Sequence, residues 1–164
     1  KNVELHTKEG QNYLPDQAIT RAEFTAMLYS ALEQAGKLPA AQENEGTAPQ
    51  FADISGHWAE NYIIKAAQLG MVNGVSEGVF APDTAITRQT MMVLIDRFLD
   101  LPDNNGLGFV DDGKIASWAL ESVARVTAAG LFSGNEQNML NPTKSASRGE
   151  AAVVTLRLLE SSFL

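Results

Sequence analysis

The sequence predicts an all-α fold built of helix–loop–helix repeats, and three observations carry that expectation. The chain repeats itself: Trp58 and Trp118 are 60 residues apart (118 − 58), and at that offset Gly70 meets Gly130, Gly74 meets Gly134, Pro82 meets Pro142, Arg88 meets Arg148 and Arg97 meets Arg157. Corresponding segments carry apolar residues at helical spacing. The stretches between those segments are rich in Gly, Asn, Pro and Ser, the residues of turns.

Residues 1–35 read as a partial repeat, a loop and second helix without the first helix. Tyr13, Pro15, Asp16 and Arg21 match Phe80, Pro82, Asp83 and Arg88 at an offset of 67 (88 − 21). The helix begins at a capping box: Thr20 stands three residues before Glu23, just ahead of an apolar run. Residues 36–50, "GKLPAAQENEGTAPQ", are a polar linker. A complete repeat follows over 51–101. Its first helix has Ala59, Ile63, Ala66 and Gly70 at i, i+4, i+7 and i+11, a stripe of mostly small residues that a neighbour can approach closely. The loop "GMVNGVSEGVFAPDTAIT" has Phe80 as an apolar pin, and the second helix carries Met91, Leu94, Ile95, Phe98 and Leu99. Residues 102–108 are a short linker, and 109–164 form a second, divergent complete repeat. There the first-helix stripe is Ala119, Val123, Val126 and Gly130, the pin is Leu140, and the second helix carries Ala151, Val154, Thr155, Leu158 and Leu159. In the partial repeat the matching set is Phe24, Met27, Leu28, Ala31 and Leu32. No helix pair can bury its stripe alone, so the repeats must pack on one another.

Composition narrows the function. With 164 residues, 45% of them hydrophobic, the chain can bury a real core. Twenty acidic against twelve basic residues give a net charge of -8, which opposes binding to nucleic acid and to anionic membrane surfaces. No stretch reaches the roughly 18 to 20 apolar residues of a membrane span, and the N-terminal segment lacks the apolar region of a signal peptide, so an exported chain would be mature sequence. Without cysteine there is neither a disulfide framework nor a thiolate metal site.

The residues that invite a functional reading also recur. Arg21, Arg88 and Arg148 each directly follow a hydroxyl residue at a helix start, where a cation meets the unfavourable end of the helix dipole. An arginine fork beside free helix-start N–H groups is a usual way to hold a carboxylate or phosphate, so an anionic ligand is expected there. Asp53 and Asp111 are either turn caps or partners that aim an arginine. Trp58 and Trp118 are either core or aromatic faces for a sugar ring, and their place at a helix entrance beside polar groups favours the second. His6 and His57 are isolated, with no second ligand at metal spacing. "DNNGLGFVDDG" misses the oxygen positions of a calcium loop, and "GLGFVDDG" misses those of a dinucleotide fingerprint. No catalytic arrangement repeats with the modules, and no cofactor or metal is expected.

"FADISGHWAENYIIKAAQLGMVNGVSEGVFAPDTAITRQTMMVLIDRFL" resembles an S-layer homology repeat, from its Phe-x-Asp and His-Trp-Ala opening through the Phe-x-Pro-Asp loop to the Thr-Arg helix start. "FVDDGKIASWALESVARVTAAGLFSGNEQNMLNPTKSASRGEAAVVTLRLL" is similar but divergent, and "YLPDQAITRAEFTAMLYSAL" resembles the back half of a third copy. The resemblance implies a pseudo-threefold helical bundle with grooves between repeats, binding a secondary cell-wall polysaccharide, often one with pyruvate ketal-linked to an amino sugar. It implies a non-enzymatic, extracellular anchor at the bacterial cell surface. Arg21, Arg88 and Arg148 would be the anion-binding arginines, Asp53, Asp111, Trp58 and Trp118 would line the grooves, and Gly74 would lie in the loop that approaches the sugar. Arg21 would be served by Asp53 and Trp58, and Arg88 by Asp111 and Trp118. Arg148 would lack a partner in this chain, leaving at most two competent sites and an uncovered face open to altered packing or self-association. Three departures, "TRQT" at the second helix start, the expansion over 112–116 and Thr143 in place of the loop aspartate, are expected to weaken the role each at its own groove. The alternative is a protein–protein module of the envelope using the same grooves.

Overall fold

Each hydroxyl–arginine pair opens a helix. In the computed structural model, which describes residues 14–39, 50–97, 99 and 101–164, the helices are α1 (Arg21–Ala35), α2 (Glu60–Gln68), α3 (Arg88–Asp96), α4 (Leu120–Ala128) and α5 (Arg148–Glu160). Thr20 and Ser147 form complete capping boxes with Glu23 and Glu150, and Thr87 caps α3 by accepting from the Thr90 amide. Each such cap is typically worth about 1 kcal/mol. The described residues are helical with loops and contain no sheet, as the sequence predicts.

Backbone hydrogen bonds close the three repeats into a ring. The Ile19 amide donates to the Ala146 carbonyl at 2.9 Å, Ala146 to Ile86 at 2.9 Å, and Ile86 back to Ile19 at 3.1 Å. Around this pseudo-threefold centre every second helix starts on the loop of another repeat. Arg21 and Ala22 amides donate to Thr84 and Pro82, Arg88 and Gln89 to Lys144 and Pro142, and Arg148 and Gly149 to Gln17 and Pro15. The first repeat, though lacking a first helix among the described residues, completes the ring with its loop and α1.

The apolar pattern sits where the periodicity puts it. Ala59, Ile63 and Ala66 on α2, and Ala119, Val123 and Val126 on α4, are fully buried, as are the two loop pins Phe80 and Leu140. Burying one such large side chain is worth about 1.5 to 3 kcal/mol. Gly70 and Gly130 correct the expectation that they extend this stripe. They are exposed, with φ of 71° and 74°, and end the helices through the paired bonds Gly70 N–H to Ala67, Met71 N–H to Ala66, Gly130 N–H to Thr127 and Leu131 N–H to Val126. Glycine is there because the left-handed turn demands it. Tyr13, Phe98, His6 and most of the first linker lie outside the described residues.

Helix pairing follows the repeat. α1 packs on α2 and α3 packs on α4, so the second helices of the first two repeats each receive the first helix of the next repeat. At α1–α2 the contact is aromatic: Tyr29 meets Tyr62 edge-on at 6.1 Å, with Lys65 Nζ 5.7 Å from the Tyr29 ring centre. At α3–α4 the equivalent positions form a buried polar network, in which Asp96 accepts from Ser122 Oγ at 2.7 Å and from Arg125 Nε and Nη2 at 2.9 and 2.7 Å. α5 has no such helix among the described residues. It flanks α1 instead, with Lys37 Nζ donating to the Leu159 carbonyl, and leaves Val153 and Leu156 exposed.

Candidate functional site

The three first-turn arginines do not stand free in solvent. Arg21 and Arg148 are 7% and 6% exposed and Arg88 is largely buried, which corrects the expectation of exposed guanidinium groups. Nor are helix-start amides free. The first two of each helix donate to carbonyls of the adjoining repeat and the third donates to the capping hydroxyl, so ring closure consumes the groups that would have formed an anion nest. What each junction offers is the arginine itself.

At the first junction Arg21 Nη2 donates to the Asn73 carbonyl at 2.7 Å, and its guanidinium lies 4.9 Å from the centre of the Phe80 ring. Its Nε is buried without a partner. Arg97 reaches the same residue: with the Asn73 amide oxygen turned toward it, Arg97 Nη1 donates at 2.7 Å. Burial, and then the charge of Arg97, push the Arg21 pKa down. At the second junction Arg88 Nε donates to the Leu140 carbonyl at 2.7 Å, and Nη1 binds Glu150 at 2.5 Å. The Phe132 ring lies 5.6 Å from that guanidinium. At the third, Arg148 Nη2 binds Glu23, and Nη1 is buried without a partner. Arg148 is therefore paired inside the chain with Glu23, because ring closure brings α1 of the partial repeat against α5; among the described residues it has no Asp and Trp pair of the kind expected at the other two junctions.

Asp53 and Asp111 grip loops. Asp53 accepts from the Phe80 and Ala81 amides at 2.9 and 2.7 Å, and Asp111 from Leu140 and Asn141 at 2.7 and 2.8 Å. Burial disfavours both carboxylates, but these amide bonds outweigh it and hold both below the usual range. The grip also holds Ala81 and Asn141 at φ of 60° and 53°, a left-handed conformation costly for alanine. Arginine and aspartate thus meet through one loop residue. Arg88 takes the Leu140 carbonyl while Asp111 takes its amide, and Arg21 stacks on Phe80 while Asp53 takes its amide. Arg21 and Asp53, and Arg88 and Asp111, make no direct bond and are linked only through that loop residue.

Gly74 is packed against its own repeat. A Cβ there would meet the Val79 and Ser76 carbonyls at 2.6 and 2.7 Å and Phe51 Cε1 at 2.9 Å. Trp58 and Trp118 are 43% and 60% exposed, so neither is core. Beside Trp58, His57 Nε2 lies 3.2 Å from Asp83 Oδ1, and the two rings are 5.6 Å apart.

Two clefts meet at Arg88. One, of about 420 Å³, runs from Pro15 and Asp16 past Arg88, Phe132 and Glu150 to Arg157. The other, of about 250 Å³, is floored by Gly134 and Asn141, with Lys144 and Glu150 on its walls. Trp118 lines neither. Arg97, Arg157, Asn73 and Glu150 are the site residues that motif reading passed over; the pairing of Arg97 with Arg157 at the repeat offset was the available signal. Among the described residues no cluster of His, Asp or Glu could hold a metal, and no helix is long and apolar enough to cross a membrane.

The sequence profile of the S-layer homology domain matches residues 50–92 and 108–152. The chain is 32% identical over 167 residues to an amylopullulanase of Thermoanaerobacterium thermosulfurigenes, covering 96% of this chain and 8% of that protein. It is 35% identical over 114 residues to a cellulosome-anchoring protein of Acetivibrio thermocellus (68% and 25%) and 31% identical over 156 residues to the surface-layer 125 kDa protein of Lysinibacillus sphaericus (92% and 12%). The chain thus spans a quarter or less of each, and in the first it matches a small part of a much longer protein.

Proposed function

The chain belongs to the S-layer homology family, whose domains anchor proteins to the bacterial cell wall, and on that premise we propose that it binds an anionic secondary cell-wall polysaccharide in the grooves between its repeats. The domain is a module of the cell surface. Its ligand carries carboxylate groups, of which a ketal-linked pyruvate on an amino sugar is the form the family resemblance suggests. The observation that supports this reading is the placement of an arginine at every inter-repeat junction, held by a loop carbonyl at Arg21 and Arg88 and by Glu23 at Arg148, and bordering a cleft of about 420 Å³ at Arg88. The exposed Trp58 and Trp118 faces offer apolar contact for sugar rings. The domain itself carries out no reaction; it holds an attached protein at the wall.

Cosedimentation with purified cell-wall sacculi tests the reading. The domain is expected to pellet with native sacculi and to stay in solution after chemical removal of pyruvate. Equal binding to both preparations would remove the carboxylate from the recognition, and binding to protein-coated but not to bare sacculi would point to a protein partner.

A further inference from the structure

The same four positions recur at each junction, and they differ in charge. The ring places the first-turn arginine of one repeat against the third residue of the next repeat's second helix, where Glu150 binds Arg88 and Glu23 binds Arg148. The residue nine positions after the helix-start arginine reaches the same wall: with the Asn73 amide oxygen turned toward it Arg97 donates to Asn73, and Arg157 Nη1 donates to the Leu131 carbonyl at 3.2 Å. The remaining repeat supplies the residue after its loop proline, as Asp16 does in the Arg88 cleft. The second junction therefore holds Arg88 and Arg157 against Glu150 and Asp16. At the third, Arg148 is bonded to Glu23, and in the repeat alignment Asp83 takes the position of Asp16 and Ser30 that of the arginine. At the first, Arg21 and Arg97 both reach Asn73, and the repeat alignment puts Thr90 and Thr143 at its two acidic positions. The Thr90 hydroxyl is turned to its own cap, 2.9 Å from Thr87 Oγ1. Among the described residues neither Arg21 nor Arg97 has a carboxylate within ion-pair distance, whereas Arg88 and Arg148 each have one.

We infer that the Arg21 junction is the groove that takes the carboxylated sugar, and that Thr90 and Thr143 select it by leaving Arg21 and Arg97 uncompensated. The inference rests on the carbohydrate reading above and adds which groove serves it. A buried guanidinium without a counter-charge is costly, and an incoming carboxylate satisfies it. Arg21, 7% exposed, and Arg148 each keep one buried guanidinium nitrogen without a partner, but Arg148 already has the Glu23 carboxylate and Arg21 has none among the described residues. Arg88 already has its carboxylate, so a ligand there must displace Glu150. Two of the departures from the repeat pattern, Thr90 and Thr143, thus fall at equivalent acidic positions of the same junction, and both remove a negative charge from it.

The probes are a methyl glycoside of an N-acetylamino sugar carrying ketal-linked pyruvate and the same glycoside without pyruvate. Calorimetric titration of the wild-type chain should show about one site for the pyruvylated form. Thr90→Glu should weaken it tenfold or more, the typical worth of one charge-assisted hydrogen bond, while Thr90→Gln, of the same shape, should leave it within about threefold. Glu150→Thr should add a second site. Melting curves of the three variants check that each is folded; position 90 is solvent-accessible and glutamate there would form a capping box. Unchanged affinity in Thr90→Glu, or equal loss in Thr90→Gln, would overturn the inference with the carbohydrate reading intact. Should the wild type bind neither glycoside, that reading falls, and the groove is judged by side-chain NMR with sodium pyruvate. There the Arg21 and Arg97 resonances should shift before that of Arg88, and no such order would refute the charge assignment.

Discussion

Replacing Asp111 by asparagine should loosen the loop that carries the second junction without touching any core side chain. Each carboxylate oxygen accepts one backbone amide, from Leu140 at 2.7 Å and from Asn141 at 2.8 Å, and Asp111 is 5% exposed. Asparagine keeps the shape but offers one oxygen and one NH₂ group. One amide therefore loses its acceptor and faces a donor. Losing a charge-assisted bond and leaving a largely buried N–H unpaired together cost about 2 to 4 kcal/mol. For a domain of this size that lowers Tm by roughly 5 to 15 °C. Calorimetric melts at pH 7 read the loss directly, and acid gives an internal control. The folded Asp111 pKa lies below its unfolded value, so its stabilisation is complete above the unfolded pKa and disappears as pH falls through the folded one. The difference between wild type and Asp111→Asn should shrink over that window. A Tm change below about 1 °C at pH 7, or a difference that persists once the carboxylate is protonated, would refute the loop-clamp account.

Gly74→Ala should destabilise the domain by about 1 to 3 kcal/mol in urea denaturation, because its methyl group would press on two backbone carbonyls and the Phe51 ring; an unchanged midpoint would show that the hairpin can shift. Trp58→Ala should weaken sacculus binding while costing little thermal stability, since the ring is 43% exposed. Ile63→Ala, fully buried, should cost about 2 to 5 kcal/mol with affinity preserved in the folded fraction. The reverse pattern in the two melting curves would put Trp58 back in the core.

The helices were legible because period and capping chemistry agree with the packing. Thr20, Glu23 and the stripes at Phe24 and Ile63 each announce one local fact that the fold keeps. The arginines were misread in one respect. Their position in the helix is local, but their burial is not, because it depends on a loop about 52 residues away closing over them: Asn73 for Arg21 and Leu140 for Arg88. The Glu150–Arg88 and Glu23–Arg148 bonds span 62 and 125 residues, and only the ring of Ile19, Ile86 and Ala146 fixes them. Sequence showed Glu23 as a cap and could not show that this carboxylate, like that of Glu150, also faces another repeat. That is why Thr90 read only as a lost motif residue, when the equivalent Glu23 and Glu150 each also pair with an arginine of another repeat.

The pseudo-threefold relation makes one last comparison possible, between Asp96 and Leu156, which hold the same place on α3 and α5. α4 covers the first, and Asp96 there is bonded to Ser122 and twice to Arg125; burial disfavours its charge, but those bonds outweigh it and hold its pKa down. Leu156 has no corresponding helix over it among the described residues and is 37% exposed. Asp96→Leu removes the partner of a partly buried guanidinium and leaves it with Asp103 and Glu121, both well exposed, so it should cost about 3 to 5 kcal/mol. Leu156→Asp places a carboxylate at the same position with water beside it, so it should cost about 1 kcal/mol or less. Urea titrations of the two variants at pH 7, each at two protein concentrations, decide the matter. If Leu156→Asp costs as much as Asp96→Leu, that face of α5 is covered in solution. A midpoint that rises with wild-type concentration but not in Leu156→Asp would identify the cover as a second copy of the chain, and a concentration-independent loss would assign it to the same chain.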